Sequence, residues 1–247
     1  MDMPASQRYV IMSTPRSGSS HLVRALEAHP QVACLGEIFN TRGGAMRRLG
    51  IKSPETVAKA VNEPLAYLED VMTAWTQRED AKPVFGFKMM LHHDARVIDQ
   101  IVSDPSWRVI LLRRDDILAQ WSSLQIAKTT GEWGSKKKKA RAKAGIEEPT
   151  TRIEFKARVF EMYGNKLDTR YGTLKQRLVG HQVFEISTEA IDERRDEMLA
   201  FLGVDPALAE PAPGVGERQN GSSLEDRFTN YDEVLRYARE HGLAVTA

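Results

Sequence analysis

The stretch that decides the fold runs Tyr9-Val10-Ile11-Met12-Ser13-Thr14-Pro15-Arg16-Ser17-Gly18-Ser19-Ser20. Residues 9–13 are short, apolar and partly β-branched, which predicts a buried strand. A turn of Pro, Arg, Ser and Gly follows. Leu22, Val23 and Leu26 then recur at helical spacing. A helix is therefore expected to begin at Ser19 or Ser20, with either serine as its cap, and to stop before His29-Pro30. A tight strand-to-helix turn points several backbone N–H groups at one spot, and the helix start adds about half a positive charge. Gly18 removes side-chain bulk. Ser17, Ser19 and Ser20 offer hydroxyls, and Arg16 offers a two-pronged grip on anion oxygens. Every part suits a phosphate.

It departs from the loop of a nucleoside-triphosphate hydrolase, which carries Gly-Lys-Ser/Thr and two widely spaced glycines. Here one Gly and no Lys are present. No predicted strand ends in an Asp that would hold magnesium. A site of this kind neutralises its phosphates with side chains, and no metal is expected. No His/Cys/Asp spacing suggests zinc either.

Working outward, strands are predicted over 31–35, 84–90, 107–112 and 182–187. Helices are predicted over 54–61, 64–77, 94–101, 116–127, 151–178, 189–202 and 231–240, with 42–50 read as a loop. Strands alternating with helices imply a mostly parallel sheet covered on both faces. The expectation is an α/β fold, a single domain over 1–247, with a mobile basic insertion at 129–149 that contains the run Lys136–Lys139.

A chain of 247 residues can bury one sizeable core. The formal net charge of +1 gives no global pull towards nucleic acid or an anionic membrane, so any anion site is local. A lysine run without aromatics or a reading fold is a solvated segment, so nucleic-acid binding is not expected; attraction to an anionic glycan or membrane surface is the functional alternative. A single cysteine, Cys34, permits no internal disulfide and fits a reducing compartment. The first residues lack the apolar core of a signal peptide, and no apolar run approaches the length of a membrane span. A cytoplasmic protein is expected, in some conditions peripheral at the inner membrane surface.

A second anion signal follows the best strand candidate. Arg113 and Arg114 stand at its carboxyl end, where open α/β sheets bind ligands. Ser122 and Ser123 come two turns into the next helix. An arginine at the strand end and a serine two turns into the next helix can converge on one more phosphate.

Taken together, these residues resemble a known family. Pro15-Arg16-Ser17-Gly18-Ser19-Ser20 resembles the 5′-phosphosulfate loop of sulfotransferases in its carbohydrate-directed form. Arg114 followed by Ser122 resembles their 3′-phosphate motif. The likeness continues through Gly36-Glu37-Ile38-Phe39, Gly86-Phe87-Lys88-Met89, Phe184-Glu185, Phe201-Leu202-Gly203-Val204 and Asn230-Tyr231-Asp232. The pattern is most similar to bacterial enzymes that act on glycolipids or oligosaccharides, such as the trehalose and Nod-factor types, with a P-loop-like fold.

The resemblance implies the donor 3′-phosphoadenosine 5′-phosphosulfate (PAPS), which leaves as adenosine 3′,5′-bisphosphate. It implies transfer of the sulfo group to a hydroxyl of a carbohydrate or glycolipid acceptor, and it makes a homodimer plausible. Arg16 would neutralise the bridging oxygen of the donor; Pro15, Ser17 and Gly18 complete the loop, and Ser19 and Ser20 anchor the 5′-phosphate. Arg114 and Ser122 would hold the 3′-phosphate, with Arg218 closing over it from a polar loop. Glu37 is the candidate general base, with partial burial expected to raise its pKa towards working pH. Lys88 is expected to emerge at a strand end as a contact for substrate or the sulfo group. Two other classes compete: a P-loop nucleotide kinase or hydrolase, which requires magnesium, and a non-catalytic nucleotide-binding protein, which would tolerate loss of Glu37.

Overall fold

The computed structural model describes residues 7–133, 151–211 and 223–245. Contacts divide the chain into two compact units, Met1–Arg113 with Gly172–Val215, and Arg114–Tyr171 with Gly216–Ala247.

The larger unit is built on strand β1 (Gln7–Ser13), whose last five residues are buried. β3 (Val84–Met90) is buried along its whole length, and β4 (Arg108–Arg113) through its four apolar residues. Strands enclosed on both faces read as continuous apolar runs, which is why these three were visible in the sequence. With β2 (Val32–Cys34) and β5 (Val183–Ser187) they form a sheet of order β2-β3-β1-β4-β5. Every pairing is parallel. Between β3 and β4 the chain crosses from one side of β1 to the other. The carboxyl end of β1 therefore lies at a topological switch point, the usual ligand crevice of such sheets.

Alternate residues of each strand serve opposite faces. On one face Tyr9, Ile11, Ile110 and Leu112 pack with Leu22, Ala25 and Leu26 of α1 (Ser19–Glu27). Met198, Leu199 and Leu202 join them; the first two lie on α8 (Arg195–Phe201). On the other face Trp75 of α4 (Pro64–Thr76) stacks on Phe85 with ring centroids 5.0 Å apart. Each such side chain contributes about 1.5–3 kcal/mol when fully removed from water. Gly86 belongs to this packing: the Tyr9 ring lies where a β-carbon would stand, and the Tyr9 hydroxyl donates to the carbonyl of Ala33 at 3.1 Å. Among the described residues this unit also contains the helices α2 (Ala45–Arg48), α3 (Pro54–Asn62) and α5 (Ala95–Ser103).

The smaller unit gathers around an aromatic cluster. Trp121 of α6 (Ile117–Thr130) meets Phe155 and Phe160 edge to face, each at 5.8 Å, and stacks on Phe228 at 6.0 Å. Phe160 lies on α7 (Ala157–Arg177). Phe228 follows α9 (Leu224–Arg227), and α10 (Tyr231–Glu240) adds Val234 and Ala238.

Several element boundaries differ from expectation. The cap of α1 is Gly18, in the left-handed region, and neither serine. Residues 42–50 contain the short helix α2. The helix expected over 151–178 starts only at Ala157. Before it, Ile153 forms a parallel bridge with Phe228, because burial there alternates with the period of a strand. The helix expected over 189–202 splits into a 3₁₀ turn, Thr188–Ala190, and α8. The Lys136–Lys139 run and Arg218 lie outside the described residues.

Candidate active site

The loop after β1 is held in an unusual shape. The N–H of Ser17 reaches the carbonyl of Thr14 at 3.4 Å, closing a turn with Pro15 and Arg16 at its centre. Arg16 has φ 65°, and no other non-glycine residue among those described has a positive φ. Pro followed by a left-handed residue is the pattern of a type II turn, whose third position normally carries Gly. Placing Arg there costs about 1–2 kcal/mol of backbone strain. Strain observed in a loop of this kind points to a side chain kept for its chemistry.

Ser17 is fully buried, and its Oγ has no hydrogen-bond partner among the described residues. A buried hydroxyl left unsatisfied costs about 1–3 kcal/mol. An anion oxygen seated on the loop would supply the partner. The N–H groups of Ser19 and Ser20 precede the first helical hydrogen bond of α1, which His21 donates to the Gly18 carbonyl at 2.8 Å, so they have no intrahelical acceptor. Gly18 is fixed by a close approach. A β-carbon there would overlap the methyl group of Thr188, and its φ of 72° is itself a glycine conformation. The Thr188 hydroxyl donates to the Ser17 carbonyl at 2.5 Å and lies 3.2 Å from the carbonyl of Arg113. Thr188 thus ties the loop to the end of β4. Sequence reading missed it, and only its position directly after β5 could have signalled it.

Glu37 and Lys88 meet on the same carboxyl edge of the sheet. The β2–β3 ladder continues past the strand: Leu35 donates its N–H to Gly86, and Lys88 donates its own to Gly36, at 2.9 and 2.8 Å. That register sets Glu37 beside Lys88, whose ammonium stands 3.0 Å from Glu37 Oε1. Phe39 packs edge to face on Tyr67 and Phe87, and the Tyr67 hydroxyl donates to Ile38, so the segment after Glu37 is anchored. Asn40 donates to Glu37 Oε2 at 3.3 Å. His93 Nε2 stands 3.9 Å from the same oxygen.

Two expectations change here. Lys88 does not emerge at a strand end; it is buried within β3 because its charge has Glu37 as a partner. The Glu37 carboxyl is not raised. Burial alone would push it up, but the Lys88 ammonium, His93 and the Asn40 amide outweigh burial and hold it below its ordinary value. Glu37 is therefore a carboxylate throughout the neutral range. Burial, then the neighbouring His92, pushes His93 down to about 4, so its ring is neutral at pH 7. Its Nδ1 accepts from the Met90 N–H at 3.2 Å, which leaves the ring proton on Nε2, facing Glu37.

The other predicted residues are accounted for as follows. Arg113 ends β4, exposed, opposite Ser187. Arg114 begins the smaller unit. In that unit Ser122 is fully buried and Ser123 nearly so. Ser122 Oγ accepts from Arg227 Nη1 at 3.2 Å, a residue sequence reading did not single out. Past the loop, the His21 ring stands 2.8 Å from Asp192. Among the described residues no group of three or more His, Cys, Asp or Glu side chains could hold a metal ion, and no helix is long and apolar enough to cross a membrane.

A family model described as Stf0 sulphotransferase matches residues 8–233. The chain belongs to the Stf0 sulphotransferase family. Sulfotransferases move a sulfo group between molecules, and β1 from its second residue, the loop after it and α1 lie inside the matched region, as do Glu37, Lys88, Arg114, Ser122 and Arg227. The family resemblance drawn from the sequence is borne out. Among solved structures, a sulfotransferase from Alicyclobacillus acidocaldarius is similar at 14% identity, with 96% of each chain covered and a TM-score of 0.50. The sulfotransferase domain of the olefin synthase of Synechococcus PCC 7002 is also 14% identical, covering 100% of this chain and 98% of its own, with a TM-score of 0.37. The first likeness supports the P-loop-like sulfotransferase fold. No curated protein sequence matches this chain.

Proposed function

We propose that this sulphotransferase takes its sulfo group from PAPS and delivers it to a hydroxyl of a carbohydrate or glycolipid. The observation that carries the donor assignment is the β1 loop: an arginine strained at a glycine position beside a buried hydroxyl that lacks a partner. Arg16, with Pro15, Ser17, Gly18, Ser19 and Ser20, receives the 5′-phosphosulfate. Arg114 and Ser122 receive the 3′-phosphate, with Arg113 and Ser123 as the alternative pair. Arg218 remains a proposed contact from the sequence resemblance.

The acceptor oxygen attacks sulfur as the bond from sulfur to the bridging oxygen breaks. That oxygen leaves with the phosphate of adenosine 3′,5′-bisphosphate, where Arg16 and the loop amides stabilise its growing charge. The acceptor's proton goes to Glu37. A hydroxyl grows more acidic as its oxygen bonds to sulfur, so a carboxylate of low pKa still accepts the proton late in the step. As Glu37 is neutralised, Lys88 is released from its counter-ion and turns its charge to the sulfo group. No metal is required, because the donor already carries a good leaving group.

A sugar acceptor is favoured by the motif resemblance and by Trp133, an exposed indole of the kind that stacks on sugar rings. We propose a cytoplasmic site of action, in keeping with a buried free Cys34. The test is incubation of the full chain with sulfur-35-labelled PAPS and a cell extract separated into glycan, glycolipid, protein and phenolic fractions. Label in the glycan or glycolipid fraction is expected. Label confined to protein or phenols would reject the acceptor class, and no transfer at all would reject the donor.

A further inference from the structure

The two oxygens of Glu37 are held differently. Oε1 faces the Lys88 ammonium at 3.0 Å. Oε2 accepts from the Asn40 amide at 3.3 Å. His93 Nε2 faces that second oxygen at 3.9 Å, too long for a direct hydrogen bond.

His93 is fixed at that spot from several sides. It follows the carboxyl end of β3, where Met90 pairs with Ser13 and the Leu91 N–H donates to the Ser13 carbonyl at 2.8 Å. Its own N–H donates to the Met90 carbonyl at 2.9 Å, and its ring folds back so that Nδ1 accepts the Met90 N–H at 3.2 Å. The next residue, Asp94, caps α5 by accepting the Arg96 N–H at 2.9 Å. The ring is thus anchored to the end of β1, the strand that carries the anion loop. Burial, then His92 and Lys88, disfavour an imidazolium; Glu37 favours one, and the balance lies at about 4. With Nδ1 engaged, the neutral ring carries its proton on Nε2. Its side chain is 13% exposed, and Nε2 has no hydrogen-bond partner among the described residues.

The gap between Nε2 and Oε2 has the size of one oxygen atom. An oxygen about 2.9 Å from the nitrogen and about 2.7 Å from the carboxylate would see the two at roughly 90°. That spread suits the lone pair and the O–H of one hydroxyl group.

We infer that the Nε2–H of His93 holds the acceptor hydroxyl, donating to its oxygen while Glu37 Oε2 takes its proton. This rests on the reading of Glu37 as the base and adds the group that aims the hydroxyl. All four directions around that oxygen are then assigned: its carbon, the proton bound for Glu37, one lone pair in the bond from His93 and one lone pair for sulfur. As the oxygen–sulfur bond forms, the bond from sulfur to the bridging oxygen breaks. The hydroxyl proton passes to Glu37, and His93 keeps its own. A neutral donor suits this task, because an imidazolium would pair with the carboxylate outright and occupy the base.

The test uses the full chain with sulfur-35-labelled PAPS and a dilution series of whichever extract fraction takes up label. The number of adenosine 3′,5′-bisphosphate sites found by calorimetry corrects each rate for folded protein. His93→Leu removes the donor, whereas His93→Gln puts an N–H near the place of Nε2. His93→Leu is expected to lower kcat/KM for the acceptor about 100-fold, the loss that follows when a reacting group is misplaced by about 1 Å. His93→Gln is expected to lose less than about 5-fold, with KM for PAPS within about 3-fold of the natural value in both variants. The loss in His93→Leu is expected to persist at pH 8, where Glu37 is ionised in every variant. A loss that disappears at pH 8 would mean that His93 only adjusts the charge of Glu37, and overturns the contact. Equal losses in the two variants, or full activity in His93→Leu, overturn it as well. Unchanged turnover in Glu37→Gln overturns the base reading and this inference with it; an inactive Glu37→Gln beside a fully active His93→Leu overturns this inference alone. Absence of transfer to any fraction overturns the donor reading and both claims that rest on it.

Discussion

Glu37→Gln is expected to cut turnover by about 10²–10⁴ while adenosine 3′,5′-bisphosphate still binds. The amide keeps the shape of the carboxylate and its acceptor oxygen keeps Lys88 satisfied, but it takes up no proton. The ionic balance of the cluster does change: Lys88 is buried, and removing the charge of its partner costs stability, by about 3–5 kcal/mol when a buried pair is broken outright. The retained hydrogen bond keeps the loss below that range, and a melting curve checks it. The pH profile carries separate information. A carboxyl lowered by Lys88 stays ionised as the pH falls to its ordinary value of 4.5 and is protonated only below it. The acid limb of kcat should therefore lie below that value, and Lys88→Met should move it upward, because burial then acts without its counterweight. The same lowered pKa means that this carboxylate adds stability above its unfolded pKa and loses it as the pH falls through the folded one. An acid limb near pH 6–7 in the natural chain, or Glu37→Gln with unchanged turnover, contradicts the role.

The second large effect concerns Arg16. Arg16→Ala is expected to lower turnover by about 10²–10³, the usual loss when a group facing developing negative charge is removed. Arg16→Gly should be just as inactive yet more stable than the natural chain by about 1–2 kcal/mol, because glycine relieves the φ of 65°. Opposite changes in activity and stability at one residue mark a strained group retained for function. A thermal melt and a transfer assay on the same two variants decide the matter. Full activity in Arg16→Gly would show that the turn, not the guanidinium, is what the site needs.

The parts of this molecule that could be read from sequence are those encoded locally. β1, β3 and β4 announce themselves because strands buried on both faces are apolar throughout, and the anion loop because Pro, Arg, Ser and Gly follow one of them. Misread segments had local signals that pointed two ways. Ile153 and Phe155 fit the helical pattern, although their two-residue spacing is that of the extended segment in which Ile153 bridges Phe228. Ser19 and Ser20 are good caps by type, but the left-handed Gly18 imposed by contact with Thr188 takes that position. The charge state of Glu37 was misjudged because burial was counted without Lys88, 51 positions away in the chain and adjacent only through the β2–β3 register. Arg227 and Ser122, 105 positions apart, and Thr188 and Ser17, 171 apart, leave no local signal at all.

The most direct test of the central claim is a thermal-shift titration in excess chelator with adenosine 3′,5′-bisphosphate, set against ATP with magnesium. The account predicts stabilisation by the bisphosphate without metal, about 2.7 kcal/mol at one hundred times its dissociation constant. Stabilisation by ATP with magnesium alone, and none by the bisphosphate, would contradict it.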